Sequence, residues 1–153
     1  MIEAPLPAWY VAFHDARRDL FWLRFLKAGF QHCFAFAWDA DGGRWVIVNV
    51  AFDGGYVRAL TDDAAGAMWG NLRALGARVL LARTENAGPR RPRLVGTCVT
   101  SVAAVLGLAA PCALTPFALY RTLLSRGAIQ VLGESCDGRR FRRRQQAATR
   151  SRA

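Results

Sequence analysis

The chain has only two histidines among its 153 residues, and its four cysteines form no C-x-x-C pair. So small a set of soft ligands gives a zinc site little to work with, and no metal or other cofactor is expected. Cys33, Cys98, Cys112 and Cys136 are scattered without framework spacing, so they read as free thiols of a reducing compartment. The opening stretch from Met1 to Pro7 lacks a basic segment followed by an apolar run, and is not expected to act as a signal peptide. There is no internal repeat. From Leu94 to Tyr120 there is no charged residue, a length that could span a bilayer. Pro111 and Pro116 interrupt it, however, and Gly96, Thr97, Thr100, Ser101 and Gly107 punctuate it. Two short buried helices joined by Leu108 to Leu114 account for the run better, and no membrane span is expected.

Acids are also scarce, 11 against 21 basic residues, for a net charge of +10. The excess is uneven. From Asp137 onward seven arginines face one acid, which leaves 14 basic and 10 acidic residues, a charge of +4, for the rest. The chain is 53% apolar, a globular composition, and positions 1–136 have the length of one domain, with 137–153 expected as a basic, flexible tail. Within that tail Arg139, Arg140, Arg142, Arg143 and Arg144 surround a single aromatic, Phe141. Such a run suits non-specific nucleic acid or an acidic partner surface, though a plain solvated basic end has the same composition.

The patterning alternates short strands and helices and indicates an α+β domain. Trp9 to Phe13 reads as a strand and Asp15 to Lys27 as a helix capped by Asp15, with Leu20, Phe21, Leu23 and Phe25 as its apolar stripe and Gly29 as its stop. Phe30 to Trp38 and Arg44 to Ala51 form a hairpin around Asp39 to Gly43. Tyr56 to Leu60 follows as a strand after an Asp53-Gly54-Gly55 turn, then a helix from a Thr61 cap to Leu75 and a strand from Arg78 to Arg83. A basic loop, Glu85 to Arg93, leads to a helix with Thr97 as N-cap and Gly107 as stop. Thr115 caps the last helix, with Pro116 at its first position and Ser125 at its end, and Ala128 to Leu132 closes the domain as a strand.

Two places in this pattern carry chemistry. Cys98 falls at the first position of its helix, where free backbone N–H groups and the helix dipole favour a thiolate. A small cysteine in an apolar helix also occurs simply as a packed core residue. In the hairpin, a two-residue turn at Asp41-Gly42 makes paired residue numbers sum to 83, so Phe34 faces Asn49 and His32 faces Ala51. Alternation then sends His32, Phe34 and Asn49 to one face, with Asn49 diagonal to His32. An asparagine there can orient an imidazole by accepting from its ring N–H, or can be a polar strand-end residue before the next turn. His14, at the end of the first strand, is expected to face solvent.

With these residues in place, the chain resembles the circularly permuted NlpC/P60-like branch of the papain-like fold, and most of all small phage-encoded proteins of that type. The resemblance rests on Phe30-Gln31-His32-Cys33-Phe34, on the return strand Trp45-Val46-Ile47-Val48-Asn49, and on Thr97-Cys98-Val99 opening the later helix, and it covers about Phe21 to Leu124. It implies an antiparallel sheet packed against helices, with the histidine hairpin before the cysteine helix, the reverse of papain's order. It also implies Cys98 as nucleophile, His32 as general base and Asn49 as the orienting residue of a cysteine hydrolase. Such enzymes cleave peptide or amide bonds, often in the peptide stems of peptidoglycan, through a thioester, with the Cys98 N–H helping to hold the oxyanion.

Two other functions stay open at this level. The body could be a non-catalytic phage structural or ejection protein, its tail touching DNA or acidic virion proteins. Alternatively, the chain could be a small nucleic-acid-binding protein whose enzymatic parts are unused. Either the virion or the host cytoplasm during assembly is the expected location.

Overall fold

The computed structural model describes residues 8–16, 21–51, 54–85, 96–108 and 113–133. It is an α+β structure built on one six-stranded antiparallel sheet. The strands are β1 (Ala8–His14), β2 (His32–Asp39), β3 (Arg44–Ala51), β4 (Gly54–Leu60), β5 (Arg78–Arg83) and β6 (Ile129–Leu132), in the spatial order β4-β3-β2-β1-β5-β6. Three helices accompany them: α1 (Asp62–Ala74), α2 (Cys98–Val105) and α3 (Pro116–Ser125).

Each helix starts on a threonine. Thr61, Thr97 and Thr115 have extended backbones, and their side chains accept from the N–H groups of Ala64, Thr100 and Ala118. The cap satisfies an N–H that the helix itself leaves unpaired. Helices α1 and α2 both run out at glycines in the left-handed region, Gly76 at φ +63° and Gly107 at φ +69°. The apolar run from Leu94 to Tyr120 therefore contains two short helices. Among the described residues no helix is long and apolar enough to cross a membrane.

The central strands are buried on both faces, so helices cover the sheet on each side. On one face Phe34, Phe36, Ala12 and Val79 pack against Leu72 of α1, with Tyr10, Trp45 and Trp69 around them. Tyr10 stacks on Phe36 at 5.3 Å, and Trp69 meets both rings edge-on. On the other face Val11, Phe13, Cys33 and Ala35 meet Val99, Val102, Leu119 and Tyr120 of α2 and α3. There Phe13, Phe30 and Tyr120 form a three-ring cluster with centroids 4.9–5.9 Å apart. Edge-to-face geometry of this kind adds about 0.5–1.5 kcal/mol per pair beyond the area buried.

The expected helix from Asp15 to Lys27 is not formed as such. Asp15 and Ala16 are not helical, and the described part of the segment is a short 3-10 turn, Phe21–Phe25. The reason is tertiary. Asp15 uses its carboxylate to accept from the Gly29 N–H (2.5 Å) instead of capping a helix, and Ala16 donates its N–H to the Gln31 side chain. Of the expected apolar stripe Leu23 is buried, whereas Phe21 and Phe25 are exposed at 70% and 84%. A second correction is smaller: Gly54 and Gly55 belong to strand β4 rather than to a turn.

Candidate active site

The hairpin register fixes the site. Strands β2 and β3 pair from Asp39↔Arg44 to Ala35↔Val48, and every pair sums to 83. Beyond Ala35 and Val48 this ladder stops, although β2 continues to pair with β1 as far as His14↔His32. Likewise β3 continues against β4 as far as Ala51↔Gly54. The sheet therefore forks between residues 32–34 and 49–51, each prong held by its outer neighbour.

Across the mouth of the fork the side chains do what the backbone does not. His32 Nε2 lies 2.8 Å from Asn49 Oδ1, and since an amide oxygen can only accept, Nε2 carries the proton and donates. That leaves Nδ1 as the ring nitrogen for the third member, Cys98. The expected pairs Phe34↔Asn49 and His32↔Ala51 are not formed, because the ladder ends at Ala35↔Val48, but His32 and Asn49 meet through their side chains as expected.

Helix α2 brings Cys98 in from the other side. The helix packs on β2 and β3 over the face of Cys33 and Ala35, opposite to the face of His32 by alternation. Cys98 reaches both faces because it sits at the fork, where Gly96 passes beside Val50. The Cys33 thiol, the His32 ring and the Cys33 N–H stand beside its sulfur.

These contacts set the charge state. The Cys33 thiol, with the His32 ring and the Cys33 N–H behind it, outweighs the cost of burial and brings the Cys98 thiol down to about 4. Burial alone would lower the His32 value. The hydrogen bond and charge of Cys98, with the Asn49 hydrogen bond, reverse that and raise it. Cys33 is pushed well above the ordinary thiol range, first by its hydrogen bond to Cys98 and then by burial. Between about pH 4 and pH 6.5 these directions favour a Cys98 thiolate beside a His32 imidazolium.

The start of α2 is held firmly. Thr97 and Thr100 form a reciprocal capping box, each side chain taking the other's N–H, at 2.8 and 3.2 Å. The box does not use the Cys98 N–H.

Three residues around the site were not evident from sequence. Tyr56 faces Asn49 in the β3–β4 ladder, and its hydroxyl accepts from Asn49 Nδ2 at 3.2 Å. This contact fixes which end of the amide meets His32. His14, expected in solvent, is half-buried and stands opposite His32, ring centroids 5.3 Å apart. The cause is simple: directly paired residues of antiparallel strands share a face. Cys33 is the third, wholly buried behind Cys98.

Arg139, Arg140, Arg142, Arg143 and Arg144 lie outside the described residues, as do Cys112 and Cys136. Among the described residues no group of three or more metal-ligating side chains comes together. Comparison of the chain with protein-family models, with curated proteins and with solved structures finds no match to any of them.

Proposed function

We propose that this protein is a cysteine hydrolase of peptide or amide bonds, built as a permuted papain-like domain in which the histidine hairpin precedes the cysteine helix. The observation that carries the reading is the meeting of Cys98, His32 and Asn49: Cys98 at a helix start, His32 beside it, and Asn49 2.8 Å from the far ring nitrogen. A purely structural cysteine in an apolar helix has no need of an ionised sulfur, an oriented imidazole or a third residue to orient it.

In this scheme the Cys98 thiolate attacks the carbonyl carbon, and the Cys98 N–H stabilises the oxyanion. The tetrahedral species collapses as His32 delivers its Nδ1 proton to the departing nitrogen, leaving an acyl thioester on Cys98. His32, now neutral, takes a proton from water, whose hydroxide displaces Cys98 from the acyl group. Asn49 keeps the imidazole aimed through both proton transfers.

Peptidoglycan stem peptides are the favoured substrate class, and association with a phage particle the favoured setting. Both rest on the resemblance of the His32, Asn49 and Cys98 segments to phage-encoded NlpC/P60-like proteins. Incubating the protein with purified stem peptides and following release of new amino groups tests the reading. Cleavage is expected for the native chain and is expected to vanish in Cys98→Ala and in His32→Ala, because the two residues act as a unit. Equal cleavage by Cys98→Ala would refute it. Absence of cleavage by the native chain, together with slow alkylation of Cys98, would favour a non-catalytic virion component.

A further inference from the structure

The hydrolytic scheme leaves one nucleophilic group unused. Cys33 is wholly buried and lies in the apolar cluster against which Cys98 packs, with its thiol beside the Cys98 sulfur. A buried cysteine often acts as a small apolar residue, and alanine or valine would fill that role. Here the thiol is in contact with a second sulfur, and the two differ in access. Cys98 is half-buried, whereas Cys33 is wholly buried. Both are free thiols.

We propose that Cys98 and Cys33 form a peroxide-responsive couple, in which Cys98 is oxidised first and Cys33 resolves it as an internal disulfide. In the first step the Cys98 sulfur attacks a peroxide oxygen. The S–O bond forms, the O–O bond breaks, and the second oxygen leaves as hydroxide to be protonated by solvent, giving a sulfenic acid at Cys98. In the second step the Cys33 sulfur attacks the Cys98 sulfur. The S–S bond forms, the S–O bond breaks, and the departing hydroxide takes the Cys33 proton and leaves as water. One peroxide is reduced to water and hydroxide while two thiol sulfurs are oxidised, and an external dithiol reverses the change.

The raised value at Cys33 suits this order, because Cys33 keeps its proton until the oxidised sulfur beside it provides a leaving group. Once bonded, Cys98 no longer offers a nucleophile, so the same step would silence the proposed hydrolase and shield its cysteine from irreversible oxidation. The couple requires only the sulfur pair and stands whether or not the protein cleaves amides.

The test uses the full chain. It is treated with hydrogen peroxide at near-neutral pH, remaining thiols are blocked with N-ethylmaleimide under denaturing conditions, and non-reduced tryptic peptides are mapped. Peptides 28–44 and 94–121 should appear joined, lighter by two hydrogens than their sum, and dithiothreitol should separate them. Because 94–121 also contains Cys112, fragmentation must place the link at Cys98. In Cys33→Ala the link should be absent, dimedone should trap a sulfenic acid at Cys98, and prolonged peroxide should drive Cys98 to states that dithiothreitol no longer reverses. Cys33→Ser serves as a second variant if alanine disturbs the fold. A native protein in which Cys33 remains fully blockable after Cys98 has been oxidised, or in which Cys98 links to Cys112 or Cys136 instead, overturns the proposal.

Discussion

Tyr56 and Asn49 face each other across the β3–β4 ladder, and the tyrosine hydroxyl accepts from the asparagine amide nitrogen at 3.2 Å. An amide has two ends that differ only in hydrogen-bonding sense. By taking the nitrogen end, Tyr56 turns the oxygen end toward His32, so the chain of orientation runs from an edge strand to the sulfur.

Tyr56→Phe should therefore weaken the site without weakening the fold. Tyr56 is 49% exposed, so removing its hydroxyl costs little stability. Loss of one orienting hydrogen bond, about 1 kcal/mol, corresponds to roughly a fivefold fall in the rate of Cys98 chemistry. Alkylation kinetics of Cys98 alongside thermal melting would separate the two effects, and an unchanged rate would remove Tyr56 from the orienting chain.

The pH profile of Cys98 alkylation should be unlike that of an ordinary thiol. An unperturbed cysteine gains reactivity about tenfold per pH unit up to roughly pH 8.5. With its value held at about 4, Cys98 should be almost fully ionised from pH 6 upward, and its rate should fall only as the pH drops through that region. Cys33→Ala and His32→Ala should each move the fall to higher pH, since both partners favour the thiolate. Iodoacetamide labelling between pH 4 and pH 9 with peptide mapping reads the midpoint. A native midpoint near 8.5 would show that the ion pair does not form.

The sign of the pH effect on stability follows from the same pair. Cys98 is lowered on folding, so its contribution is complete above the unfolded value near 9 and is lost as the pH falls toward about 4. His32 is raised on folding, so its contribution is complete below about 6.5 and is lost as the pH rises through its folded value. In Cys98→Ala the Cys98 slope should vanish and the His32 slope should change sign, because burial, which lowers His32, is then opposed only by the weaker Asn49 hydrogen bond. Urea midpoints of the native chain and the variant from pH 5 to pH 9 would check this, and parallel curves would contradict it.

Thr97→Ala should loosen the start of α2. Loss of an N-cap typically costs about 1 kcal/mol, which for a chain of this length is roughly 2–4 °C in Tm. Because Cys98 is the next residue, the variant should also lose Cys98 reactivity, whereas Thr115→Ala should cost similar stability and leave that reactivity intact. Melting curves paired with Cys98 labelling rates distinguish these outcomes.

Ending the chain after Asp137 should leave a folded body. The removed segment has too few apolar residues to form part of a core. Any binding to duplex DNA of unrelated sequences should be steeply salt-dependent in the full chain and largely absent after truncation, since seven arginines are removed. Unchanged DNA binding by the truncated chain would take the tail out of that role.

Where local chemistry decides, the sequence was readable. The three threonine caps, the stop at Gly107 and the strand bounds Arg44–Ala51 and Arg78–Arg83 follow from neighbours in the chain. The sum of 83 followed from turn position and parity, and it placed Asn49 beside His32 correctly. Asp15 was misread because its carboxylate serves Gly29, fourteen residues away, rather than the next helical turn. Tyr56 was missed because the second turn was set too late, at Gly54 and Gly55, so the β3–β4 register went unread. Cys33 was hidden by the rule of alternation itself. A strand residue next to His32 should point away from the site, and only a sheet that opens there lets one sulfur touch both neighbours.

The fork also ties the chemistry to the cooperativity of folding. His32 is anchored through β1, Asn49 through β4, and Cys98 through a helix that arrives much later in the chain. Neither the β2–β3 hairpin nor α2 contains all three, so each by itself carries an ordinary thiol or an ordinary imidazole. Acidity of a single sulfur thus reports that α2 has docked on the opened hairpin, a long-range contact that local structure alone cannot supply.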